Sequence, residues 1–186
     1  MTLKKLSVLQ KLEPLLKLDN VFDAVVFGSF ARGSLKPRDI DVAIIFDPPV
    51  SMDIKLDTAQ KAREMLDHLF EITPVNLQEI FSRNFKARTG IISEGISIRS
   101  KKRLSEVMGF KPMALFTYSL VNLSNSKKTQ LKYALSGRNG KGLLEERGGR
   151  FLGKGCLIVP IEAMDEFKLL FNSYNVKYEV KKILSE

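Results

Sequence analysis

Asp39 and Asp41 stand one residue apart at the head of the apolar run Val42-Ala43-Ile44-Ile45-Phe46. Side chains on a strand alternate faces, so both carboxylates project from one side, with Cα atoms about 6.6 Å apart at roughly 3.3 Å per residue. Carboxylates so placed share hard cations, and paired ions some 3.5 to 4 Å apart stabilise the attacking and leaving oxygens of a phosphoryl displacement. The inferred ion is Mg2+, or Mn2+ in its place. Upstream, Val25-Val26-Phe27 runs into Gly28-Ser29. Gly28 has no Cβ to hold phosphate oxygens off the backbone amides, and the Ser29 hydroxyl adds a donor. A helical turn over 29 to 33 would turn further amides toward an anion. Gly-Ser alone describes a tight turn and Asp-Ile-Asp alone a strand end. The order strand, Gly-Ser, Ala-Arg-Gly, Asp-x-Asp, strand is far more specific, and it suits a nucleoside triphosphate.

The segment GSFARGSLKPRDIDVAIIF resembles the core motif of the nucleotidyltransferase superfamily that includes DNA polymerase beta, and within it the minimal nucleotidyltransferases of archaea and bacteria. The likeness covers roughly the first hundred residues, with Ile91-Ile92-Ser93-Glu94-Gly95-Ile96-Ser97-Ile98 as the closing segment. The resemblance implies that Gly28 and Ser29 hold the nucleotide phosphates and that Asp39 and Asp41 hold the metals. It also implies transfer of a nucleoside monophosphate from an NTP, ATP among them, to an acceptor hydroxyl as pyrophosphate leaves. Arg32 and Lys36 are candidates to neutralise the leaving group.

The resemblance further implies a third carboxylate on the next strand, in a Val-Asp-Leu context. Val75-Asn76-Leu77 is the matching segment, which puts Asn76 at that position. An amide oxygen can coordinate a cation but cannot act as a general base near neutral pH. Glu71 lies five residues earlier, on the opposite face from Asn76 in an unbroken strand. Asp47 shares the parity of Asp41 but lies about 20 Å along a straight strand. Three readings stay open: a two-carboxylate enzyme, a base supplied by the substrate complex, and a binding protein that has retired the chemistry.

Leucines at helical spacing over 3 to 18 predict a helix against a sheet. Strands follow at 23 to 28 and 39 to 46, then an amphipathic helix from Asp57 to Leu69 buried through Ala59, Ala62, Met65 and Leu69, and a strand at 71 to 77. Pro74 marks that last strand as one near an edge or irregular. Beyond the basic stretch Arg99-Ser100-Lys101-Lys102-Arg103, the expected order is strand 113 to 121, helix 126 to 136, strands 142 to 148 and 151 to 159, helix 161 to 173 and strand 175 to 183. This βαββαβ order is that of a ferredoxin-like split unit. The expected architecture is therefore α/β: a nucleotidyltransferase-like domain with a mixed sheet over 1–104, then a smaller ferredoxin-like domain over 105–186.

The formal charge of +9 is unevenly placed, with sixteen Lys and Arg against four Asp and Glu between Arg83 and Lys154. A basic zone of this kind points to an anionic macromolecule, RNA ahead of DNA. Arg138, Lys141, Arg147, Arg150 and Lys154 lie among glycines there and are the candidate contacts. Asn-Gly and Gly-Gly turns explain the glycines without function. Phe116, Tyr118, Tyr133 and Phe151 are candidates either to stack on bases or to fill the core. A protein acceptor and a second copy of the chain are the alternative partners. Cys156 and His68 are solitary, and packing suffices to explain both. No run approaches the ~20 apolar residues of a membrane span, and Glu13, Lys17 and Asp19 interrupt any leader core, so a cytoplasmic protein is expected.

Overall fold

The computed structural model describes residues 3–34 and 37–186. The chain divides into two compact units, Met1–Gly109 and Phe110–Glu186. The first opens with helix α1 (Leu3–Leu12), which passes into a 3-10 turn at Glu13–Lys17 where Pro14 stands near the turn's start. Strand β1 (Val21–Phe27), the short helix α2 (Gly28–Arg32) and strand β2 (Ile40–Phe46) follow. Next come helix α3 (Met52–Met65), strand β3 (Phe70–Asn76), helices α4 (Leu77–Ile80) and α5 (Arg88–Glu94), the short strand β4 (Ile96–Ser97) and helix α6 (Leu104–Val107). The sheet order is β3-β2-β1-β4, antiparallel except for the β2/β3 pair.

Both faces of this sheet are covered, which is why β1 and β2 read as nearly continuous apolar runs rather than as alternating ones. Leu9, Leu12, Val26, Val42, Ile44, Ala59 and Ala62 form the core on one face; Val25, Phe27, Ala43, Ile45, Val75 and Ile91 form it on the other. Helix α3 starts earlier than the apolar pattern predicts, because the Ser51 hydroxyl accepts from the Ile54 N–H and caps it. It also ends earlier, leaving Met65 and Leu69 exposed. Pro74 sits in β3 at the sheet edge, where a missing N–H costs least.

In the second unit, strand β5 (Lys111–Ser119) leads to helix α7 (Asn125–Ser136), capped by Ser124. Then come helix α8 (Leu143–Glu146), strands β6 (Arg150–Gly153) and β7 (Cys156–Pro160), helix α9 (Met164–Ser173) and strand β8 (Lys177–Ser185). The order β6-β7-β5-β8 is wholly antiparallel. β7 splits the parallel-running β5 and β6, and β5 splits β7 and β8, so the βαββαβ expectation holds. Its strands sit differently, however. The segment expected as strand 142 to 148 is helical over the good helix formers Leu143-Leu144-Glu145-Glu146, while Gly155 at φ +71 turns the expected strand 151 to 159 into a hairpin. Phe116 is fully buried against Phe167, Phe171 and Tyr178 and is a core residue. Among the described residues, no helix is long and apolar enough to cross a membrane.

Candidate active site

β1 ends at Phe27, and the chain turns at Gly28 with φ +74, a conformation that favours glycine. A Cβ on Gly28 would lie 2.0 Å from the Asp41 Oδ2, so the carboxylate occupies the space a side chain would need. Register explains the approach, since Phe27 pairs with Asp41 across the antiparallel β1/β2 ladder. α2 then carries Ser29, half-buried, and closes on Gly33 at φ +111.

Asp39 is exposed just before β2 and Asp41 is half-buried within it. β2 runs parallel to β3, and Asp41 stands opposite Glu71. Residues paired across a ladder share a face, so Glu71 lies beside Asp41 on the same side as Asp39. The electrostatics agree: the Asp41 carboxyl is pushed above the usual range, first by burial, then by the charges of Asp39 and Glu71, with Arg32 a weaker opposing influence. A hard cation would relieve this repulsion, and an all-oxygen carboxylate set suits Mg2+ or Mn2+. The residues present therefore fit such an ion. Among the described residues, no three His, Cys, Asp or Glu side chains are gathered into a group that could hold a metal ion. The set is open, as suits Mg2+ bound through one or two carboxylates, water and substrate phosphate.

Asn76 is not brought to this place. It pairs with Phe46 at the far end of the β2/β3 ladder, five residues beyond Glu71 or about 16 Å at ~3.3 Å per residue, and by parity faces the other side. Its side chain is engaged there: Oδ1 accepts from the Val50 N–H at 3.0 Å and Nδ2 donates to the Val50 carbonyl at 3.1 Å. The Asn76 N–H also donates to Glu79 at 2.6 Å. The structure thus places Asn76 away from Asp39 and Asp41, where it was expected to stand in for a third carboxylate, and puts Glu71 beside Asp41 instead. Phe70-Glu71-Ile72 repeats the apolar, acidic, apolar pattern of Ile40-Asp41-Val42, but that pattern alone does not set the register of one strand against the other.

Arg32 has a partner within the first unit. Its Nη1 donates to Glu94 Oε2 at 2.6 Å, and the Glu94 side chain is wholly buried. Arg103, 7% exposed, donates to the carbonyls of Glu94 and Ala31 at 2.9 and 3.2 Å. Arg32 therefore ties α2 to α5, and Arg103 clasps both segments. Sequence reading missed Glu94 and Arg103, since neither has a spacing that betrays its burial. Lys36 lies outside the described residues.

In the second unit, Arg147 forms a two-pronged pair with Glu166 at 2.6 and 2.9 Å, and Lys141 pairs with Glu145 at 3.3 Å. Arg138 lies over the Tyr133 ring at 5.5 Å from its centroid. Arg150 and Lys154 are exposed, on β6 and in the turn after it.

The family model described as "Polymerase beta, Nucleotidyltransferase" matches residues 10–104. No curated protein matches the chain. Among solved structures, a toxin-antitoxin with AMP-PNP is similar at 19% identity over 48% of this chain and 71% of that one, with a TM-score of 0.37. A tri-AMPylated Shewanella oneidensis HEPN toxin in complex with MNT antitoxin is similar at 16% identity, over 57% and 82% of the two chains, with a TM-score of 0.34.

Proposed function

The chain belongs to the polymerase beta nucleotidyltransferase family, and on that premise we propose that it moves a nucleoside monophosphate from an NTP to an acceptor hydroxyl. The observation that carries the proposal is the meeting at Asp41 of Gly28, Asp39 and Glu71. Asp39 and Asp41 would hold Mg2+ or Mn2+, which when bound neutralises charge on the attacking and leaving oxygens of an in-line displacement. Gly28 leaves the Asp41 carboxylate and the phosphates room to meet, and the Ser29 hydroxyl donates to the β and γ phosphates. Glu71 accepts the proton of the attacking hydroxyl. A bond forms from the acceptor oxygen to the α phosphorus as the bridging bond to the β phosphate breaks, and pyrophosphate departs. Arg32 positions α2 through Glu94 rather than gripping the nucleotide. The cytoplasm, with its NTP and Mg2+, is the compartment such chemistry calls for.

The acceptor that the basic zone from Arg83 to Lys154 favours is nucleic acid, RNA ahead of DNA. Incubation with labelled NTPs, Mg2+ or Mn2+ and total RNA tests this. Covalent label should appear in RNA and be lost in the D39N/D41N variant. Label on protein alone would replace RNA with a protein acceptor, and metal-assisted NTP binding unchanged in D39N/D41N would move the site elsewhere.

A further inference from the structure

The second unit contains a cavity of about 420 Å³ that the transfer chemistry does not use. Leu120, Leu131, Leu135, Tyr118 and Phe151 give it apolar walls, and no carboxylate lines it. Phe151 pairs with Leu157, whose side chain is in the core beneath α7, so Phe151 faces the same way from the outer strand β6. Phe151 is 45% exposed. Lys128 and Lys132 also line the cavity, one helical turn apart on α7, and neither has an ion-pair partner among the described residues. Thr129 lies between them.

We propose that this cavity binds a nucleoside phosphate, with the base against Phe151 and Tyr118 and the phosphate on Lys128 and Lys132. Two ammonium groups whose Cβ atoms stand about 6 Å apart match a phosphate dianion better than a single carboxylate. The volume falls within the range of small-molecule sites, roughly 300 to 1,000 Å³. Stacking on aromatic rings accepts any base. The ligand is either a free nucleotide, whose phosphate is a dianion, or nucleotides of a single strand, whose phosphodiesters carry one charge each; a stacked base beside an anionic phosphate is common to both. If the transferase reading above holds, a strand bound here is the acceptor.

The test uses the full chain in EDTA, which silences metal-dependent NTP binding. A fluorescent single-stranded adenylate oligonucleotide should bind, with affinity reduced at least tenfold in K128Q/K132Q and at least fivefold in F151A. K61Q, on α3 of the first unit, should change it less than twofold, and all variants should keep the wild-type circular dichroism. Competition by AMP identifies a free nucleotide as the source, whereas oligonucleotide binding that AMP does not displace identifies a strand. Either supports the assignment. Binding indifferent to K128Q/K132Q and F151A overturns it, as does failure of both the oligonucleotide and AMP to bind. D39N/D41N should leave this binding intact, so loss of transfer there and loss of binding here report on separate claims.

Discussion

At position 76 the amide bonds to Val50 in both directions, giving a proton to its carbonyl and taking one from its N–H. A carboxylate can accept but cannot give. N76D should therefore cost about 1 to 3 kcal/mol of stability, the penalty for stranding a partly buried carbonyl, and bring no gain in transfer. E71Q should slow transfer by about 100-fold or more, the usual contribution of a positioned proton acceptor. Urea melts and single-turnover transfer check both; acceleration by N76D with E71Q indifferent would reverse the assignment. Gly28 admits a sharper trial. Any Cβ there collides with Asp41, so G28A should weaken metal-assisted NTP binding at least tenfold by titration. Gly28, Asp39 and Asp41 were legible because type and spacing reside in one short segment. Glu71 was not, since parity within β3 cannot fix its register against β2, and that register depends on how far the β2-to-β3 crossover carries the chain.

Elements were legible where one pattern ruled. The doubly covered sheet shows itself in apolar strands, and the split second sheet in strand and helix order. Boundaries failed where a local choice competed, as at α8, where the glycines and charges around Leu143–Glu146 resemble a hairpin while the four residues themselves favour a helix. The crossover through α3 is also held by charge: Lys55, buried on α3, donates to Glu79 on α4 at 2.5 Å. That bond, with burial opposing it and the Asn76 N–H assisting, holds the Glu79 carboxyl below the usual glutamate range. A depressed carboxyl contributes stability that is present above its unfolded pKa and fades as pH falls through the folded value. The melting temperature of the wild type should exceed that of E79Q by a constant margin above about pH 5, and the margin should shrink as pH falls below the ordinary glutamate range and through the lowered folded value. A gap that persists in acid would mean that the carboxylate's charge contributes nothing.

Over the whole molecule, charge asymmetry was plain in the sequence, but the availability of each cation was not. Arg147 is occupied by Glu166 and Lys141 by Glu145, whereas Arg150 and Lys154 stand exposed on and beside β6. Changing Arg150 and Lys154 together to Ala should flatten the log-log salt dependence of single-strand binding by about 0.7 per lost contact, and changing Arg147 should alter it less. Equal effects from the three would show that the Glu166 pairing gives way on binding. Arg103 has a bearing on how the chain can be divided. Its guanidinium reaches back to the carbonyls of Ala31 and Glu94, so the last strand of the first sheet is not the last necessary residue. A fragment ending at 98 keeps every strand of that sheet yet loses the Arg103 hydrogen bonds to the Ala31 and Glu94 carbonyls, while one ending at 109 keeps the clasp. Limited proteolysis should spare the longer piece and consume the shorter, marking the smallest portion of this polypeptide that can be inherited, expressed or transplanted as a self-sufficient part.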